Sequence, residues 1–258
     1  MNPDTFGQSA EWLTGVLLIA TRLAGVLLFS TVLGFSSLPI RVRLLFVLSL
    51  SAAFASVIGI PAGIQEATHS VYALLGTALR ELTLGAAMGF GILAIFGAFM
   101  LGGRVLDYQL GFSVATLFDP ANRTQGPLLG VFLSMLAATV FVVTDAHHTL
   151  LRAFIYSFRA VPLGTARCCS DVEPMISQFG LLFVFGLLIV APALVALAIL
   201  DVSIGVMARS MPQVNTYFVT LPARSFLGIT VMSLSLRFTE PLMTSMFSSI
   251  FRYWQQLV

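Results

Sequence analysis

Apolar stretches of uneven length, set off by short polar or charged joints, run along nearly the whole chain. They read Trp12–Leu38, Leu44–Ile64, Val71–Gly103, Thr124–Val161, Met175–Val206 and Pro222 to about Met246. Their length and their Leu, Ala and Met content predict helices. A bilayer core of about 30 Å takes about 20 helical residues, whereas 32 residues such as Met175–Val206 would extend roughly 48 Å. Such a segment must break, tilt or project. Pro192 is placed to kink it, and Pro61 to end the second segment, because proline lacks the N–H that the helical ladder needs. No stretch is left for a soluble domain. The pattern therefore predicts an all-α, polytopic, helical-hairpin membrane protein with broken and overlong helices, a single helical subunit over residues 1–258.

The joint between the third and fourth segments departs from this pattern. Arg104 to Arg123 reads RVLDYQLGFSVATLFDPANR, and its middle, Tyr108 to Phe118, carries no charge and is rich in Leu, Phe, Val and Gly. Loops at a membrane are ordinarily polar, because unpaired backbone groups need water. An apolar loop must instead sit against protein or line a cavity.

Composition narrows the class. Hydrophobic residues make up 58% of the 258 and charged residues 9%, against roughly a quarter charged in soluble domains. The mean hydropathy is +0.97. All 13 basic residues are Arg, so a Walker A nucleotide site and a lysine Schiff base are excluded. The formal charge of +2, with Arg scattered, argues against nucleic acid as a partner and leaves membrane lipid and protein. The first eleven residues hold Asp4 and Glu11 but no basic residue, so the first apolar run is expected to be retained rather than cleaved. Cys168 and Cys169 are adjacent and would crosslink no distant segments. His147 and His148 lack zinc-ligand spacing to them, so neither metal site nor cofactor is expected.

Charges inside the apolar runs point to packing against other polar groups. Arg22 lies mid-segment, where insertion costs about 2.5–3.5 kcal/mol, and its neighbours at three and four residues are Leu18, Ile19, Gly25 and Val26. Another helix or another subunit must satisfy it, unless it snorkels to an interface. Asp201 repeats the situation in the fifth segment. Glu81, Gly85 and Gly89 share one helical stripe, and the two glycines form a small-xxx-small pattern that allows close backbone approach. Asp145-Ala146-His147-His148 reads as a polar helix junction; a proton relay or pH sensor at the histidine pair has no second supporting feature.

The joint carries Tyr108-Gln109-Leu110-Gly111-Phe112, Ala115-Thr116 and Asp119-Pro120, which resemble the signature of the FliR family of flagellar export-gate proteins. The resemblance covers most of the chain. Pro39 with Arg41 and Arg43, Arg80-Glu81-Leu82 with Gly85 and Gly89, Pro127 with Gly130, Asp145 to His148, and Arg209 with Pro212-Gln213-Val214-Asn215 follow in the family's order. Two departures stand near the last hairpin: Thr220-Leu221-Pro222 in place of Gly-Phe-Pro, and Asp201 where Asn is common.

The resemblance implies a non-enzymatic component of a flagellar type III protein export gate at the bacterial inner membrane and flagellar basal body. Such a chain would join FliP-like and FliQ-like subunits in a hetero-oligomeric channel for unfolded flagellar subunits, with a FlhB-like protein docked beside it. It implies a plug over residues 105–122, with Tyr108, Gly111, Phe112, Val114, Leu117 and Phe118 as the channel plug and Gly111 as its hinge. Arg22, Glu81, Asp201 and Arg209 are expected to make polar contacts between subunits. Alternatives are the homologous subunit of a virulence injectisome, away from which Ala115-Thr116 and Asp119-Pro120 lean, and a stand-alone secondary transporter, for which no inverted repeat is visible. An intramembrane enzyme using Asp145, His147 or Asp201 would lack a nucleophile and base that support each other.

Overall fold

The computed structural model describes residues 3–29, 39–59, 70–112, 127–166, 172–210 and 216–258. Among these residues there are seven helices and no strand: α1 (Pro3–Phe29), α2 (Ile40–Ile58), α3 (Val71–Leu110), α4 (Leu128–Val143), α5 (Ala146–Ala160), α6 (Glu173–Ser210) and α7 (Thr216–Leu257). The protein is an all-α polytopic membrane protein. Four helices, α2, α3, α6 and the Phe218–Leu257 part of α7, are long and apolar enough to cross a membrane, and the bent pair α4 and α5 brings the number to five if it forms one span.

Overlong helices are present as expected. The α3, α6 and α7 helices have 40, 38 and 42 residues, about twice what a bilayer core requires. Helical structure continues through Pro192 in α6 and through Pro222 and Pro241 in α7, so these prolines do not end their helices. The break comes elsewhere. Thr124–Val161, a single apolar segment in sequence, divides at Thr144 and Asp145, and its halves bend by 73°. Asp145 takes φ +54°, the left-handed conformation that aspartate tolerates better than most residues, and this halts the α4 ladder. The α2 helix ends earlier than its apolar run, at Ile58, where Gly59 adopts φ +68° and returns its N–H to the Ala55 carbonyl; Pro61 lies outside the described residues.

The chain forms two compact units. The first comprises Met1–Ala94, Asp145–Gln178 and Ser249–Val258. Its core holds Leu18, Ile19, Leu23 and Val26 of α1, with Leu84, Ala87 and Met88 of α3. Phe54 of α2 meets Phe154 of α5 at 5.4 Å between ring centres. The last turns of α7 are fixed by two buried bonds, Tyr253 Oη donating to the Ala87 carbonyl at 2.8 Å and Trp254 Nε1 to that of Met88 at 2.9 Å. Tyrosine and tryptophan suit this position, since each buries a large ring while its one donor finds a carbonyl.

The second unit comprises Ile95–Thr144 and Phe179–Ser248. Phe96 and Phe99 of α3, Phe141 of α4 and Phe247 of α7 form an aromatic cluster, closest between Phe141 and Phe247 at 5.2 Å, edge to face. Small residues bring backbones together beside it: a Cβ on Gly102 would overlap the Gly186 carbonyl, and one on Gly103 the backbone of Gly130.

Burial differs sharply among the helices. The most apolar window of α3 is 67% buried, whereas those of α2, α6 and α7 are 22%, 28% and 11% buried. The α3 helix therefore supplies core to both units, while Leu45 of α2, Val195 and Ile199 of α6, and Phe226 and Phe238 of α7 stay exposed. Apolar surface on this scale requires lipid or a partner chain.

Candidate functional site

In the first unit, Arg22 and Glu81 are both fully buried and form an ion pair, with Arg22 Nε donating to Glu81 Oε2 at 2.6 Å. The pair is completed by backbone. Arg22 Nη1 donates to the carbonyl and to the hydroxyl of Ser157 at 3.2 and 3.3 Å, and Nη2 to the Val161 carbonyl at 3.1 Å. The second carboxylate oxygen, Glu81 Oε1, accepts from the N–H of Gly164 at 2.9 Å, and the Phe158 ring lies 4.2 Å from the guanidinium carbon. This is the arrangement that a buried charge pair needs, each guanidinium nitrogen and each carboxylate oxygen having a partner. It ties α1, α3, α5 and the turn after α5 at one point. The approach depends on Gly85, where a Cβ would overlap the Arg22 carbonyl, and on Gly89, where one would press on the backbone of Val26. Thus the polar partner demanded by Arg22 comes from α3 of the same chain, and Glu81 is spent on the same pair.

In the second unit, α3 continues past Gly103 through Leu110, so the first part of the 105–122 segment is helix rather than loop. Leu106 and Leu110 are buried, and they continue the core stripe of the helix beyond Arg104. Asp107, only 5% exposed, accepts the N–H of Leu129 with both carboxylate oxygens at 3.2 Å. That N–H belongs to the first turn of α4, where intrahelical acceptors are missing, so a carboxylate from α3 caps it. Asp107 thus ties the last turns of α3 to the first turn of α4. The Leu110 carbonyl accepts from Ser225 Oγ at 3.4 Å.

Gly111 then turns the chain. Its φ of +82° is open to glycine at no steric cost, and its N–H returns to the Tyr108 carbonyl at 3.2 Å. A Cβ there would also collide with the Leu221 side chain. Of the six residues expected to form a plug, Tyr108 is exposed on the last turn of α3, Gly111 makes the turn, and Phe112 follows half-buried. Val114, Leu117 and Phe118 lie outside the described residues.

Asp201 of α6 also finds an intrachain cation. Arg224 of α7 donates from Nη2 and Nε to Asp201 Oδ1 at 2.7 and 2.8 Å, with both side chains about one third exposed. Arg209 is exposed near the end of α6. At the α4–α5 junction, Asp145, His147 and His148 bring one potential ligand atom each within 4.8 Å of one another. His148 Nδ1 lies 3.2 Å from Asp145 Oδ1, and the two imidazoles stack at 4.1 Å. The trio closes the sharp bend, and Asp145 is 75% exposed at its side chain.

Three contributors were not singled out from sequence. Asp107 stands in a joint whose charges resemble those of a loop, although an acid three residues after Arg104 and one turn before the glycine stop is compatible with a continuing helix. Arg224 and Ser157 carried no local signal at all.

Residues 13–250 match the family described as bacterial export proteins, family 1. The flagellar biosynthetic protein FliR of Escherichia coli (strain K12) is 29% identical, over 97% of this chain and 96% of its own length. FliR of Bacillus subtilis (strain 168) is 28% identical over 81% of this chain and 80% of its own, and the surface presentation of antigens protein SpaR of Shigella flexneri is 26% identical over 81% and 79%. A match that takes in the buried ion pair, the turn at Gly111 and the Asp107 cap together shows that the chain belongs to the bacterial export protein family 1, the family of FliR and SpaR.

Proposed function

We propose that this chain is a FliR-like subunit of a flagellar type III protein export gate. In this reading it assembles at the inner membrane with FliP-like and FliQ-like subunits, receives a FlhB-like protein, and helps form the channel through which unfolded flagellar subunits leave the cell. Residues 105–122 act as its plug, with Gly111 as the hinge and Phe112, Val114, Leu117 and Phe118 as the apolar stopper. The observation that carries the reading is the near full-length likeness to a flagellar biosynthetic protein, 97% of one chain against 96% of the other. Ala115-Thr116 and Asp119-Pro120, worded as in the flagellar signature, favour the flagellar over the injectisome branch.

The exposed apolar faces of α2, α6 and α7 support an assembled state, because a chain with so little of these helices buried needs lipid or protein against them. Arg22, Glu81 and Asp201 spend their charge inside the chain, and Arg209, exposed near the end of α6, is the one of the four that we assign to a contact between subunits. Affinity purification of the tagged chain in mild detergent tests the proposal. A defined particle containing FliP-like and FliQ-like chains is expected, and the chain expressed alone should aggregate. A monodisperse solitary chain, with no such partner retained, would overturn it.

A further inference from the structure

In the first unit, α5 and the final turns of α7 line an open cavity of about 510 Å³, within the range of small-molecule sites. Arg152 and Arg159 line it, seven residues and nearly two helical turns apart on one side of α5. Neither guanidinium has a hydrogen bond or ion-pair partner among the described residues, in contrast to Arg22 and Arg224. No Asp or Glu lines the cavity. The base is apolar and aromatic: Phe251 and Trp254 line it, and the Trp254 N–H is already committed to the Met88 carbonyl, so its ring has no donor left for the cavity. Gln255 adds an amide at the wall.

Two exposed arginines with no Asp or Glu beside them, above aromatic and aliphatic side chains, select an anion joined to an apolar body. Guanidinium forks match phosphate oxygens, and basic pockets between helices of membrane proteins take lipid headgroups. We propose that this cavity binds an anionic phospholipid, its phosphate held by Arg152 and Arg159 and its glycerol and upper acyl carbons lying against Phe251 and Trp254. An acidic peptide would satisfy the arginines but would have no use for the aromatic base. Free phosphate shares the anion chemistry and lacks the apolar body.

The test uses the full-length chain purified with its co-expressed partner subunits, stripped of lipid and reloaded with phosphatidylglycerol or phosphatidylcholine, and read by native mass spectrometry. Phosphatidylglycerol should be retained at least about tenfold better, and Arg152→Gln with Arg159→Gln should remove that preference. Arg152→Lys with Arg159→Lys should keep part of it, and Arg237→Gln, an exposed charge removed from α7 outside this cavity, should keep all of it. Equal retention of the two lipids, or an unaltered preference in the double Gln variant, would overturn the proposal. Displacement of phosphatidylglycerol by an equal concentration of inorganic phosphate would assign the site to the free anion instead. Loss of a partner subunit from the double Gln variant, with lipid retention unchanged, would assign the arginines to an acidic protein contact.

Discussion

The guanidinium of Arg22 and the carboxylate of Glu81, 59 residues apart in sequence, meet at 2.6 Å with both side chains wholly buried. Breaking such a pair from one side leaves an uncompensated buried charge, which costs about 3–5 kcal/mol, whereas removing both partners costs much less. Arg22→Leu and Glu81→Leu should each lower the thermal midpoint and yield of the assembled complex, and the double variant should recover part of the loss. Fluorescence-detected size exclusion after heating measures this. Wild-type midpoints for both single variants would show that the pair is dispensable.

The approach that allows this pair rests on missing side chains. Gly85→Ala would set a Cβ against the Arg22 carbonyl, a backbone atom that cannot move without shifting α1, so a loss of about 1–3 kcal/mol is expected. Gly180→Ala, on exposed α6 with nothing within 4 Å of the new methyl, should be neutral or slightly stabilising. Equal midpoints for the two variants would refute a tight α1–α3 contact.

Asp107→Ala should leave the half-buried Leu129 N–H without its acceptor, at a cost of about 1 kcal/mol. Since this bond holds the last turns of α3 against the start of α4, a cysteine placed at Phe112 should react faster with a maleimide in the Asp107→Ala background. An unchanged labelling rate would separate the cap from the segment.

Asp201→Asn should be mild. Its pair with Arg224 is about one third exposed, and such pairs contribute about 0.2–1 kcal/mol. Complex yield near wild type is expected, against the large loss for Glu81→Leu; a loss as large as that of Glu81→Leu would mark Asp201 as a buried contact in the assembly.

The helices, their excess length and the polar junction at Asp145 were legible in the sequence because periodicity, length and turn chemistry are local properties. The need for an acid near Arg22 was legible too, since its own helix offers none. Its supplier was not: Glu81 becomes a neighbour only when the glycine stripe of α3 meets α1, and a separation of 59 residues leaves no local trace. The same holds for Arg224 and Asp201. The end of α3 was misplaced because Arg104 and Asp107 looked like the charges of a loop, whereas Asp107 is held by the first turn of α4 and the helix stops only at the positive φ of Gly111. Family likeness rested on motifs spread along the chain and extended to residues 13–250.

The central claim, that residues 105–122 plug an export channel, is tested most directly by ion conductance of resting cells. An apolar constriction seals by excluding water, so shortening it or making it polar should open a leak. Cells carrying a deletion of Gly111–Thr116, or Phe112→Ser with Phe118→Ser, should assemble the complex at wild-type levels and show raised conductance when nothing is being exported. A tight membrane in cells with fully assembled variant complex would contradict the plug.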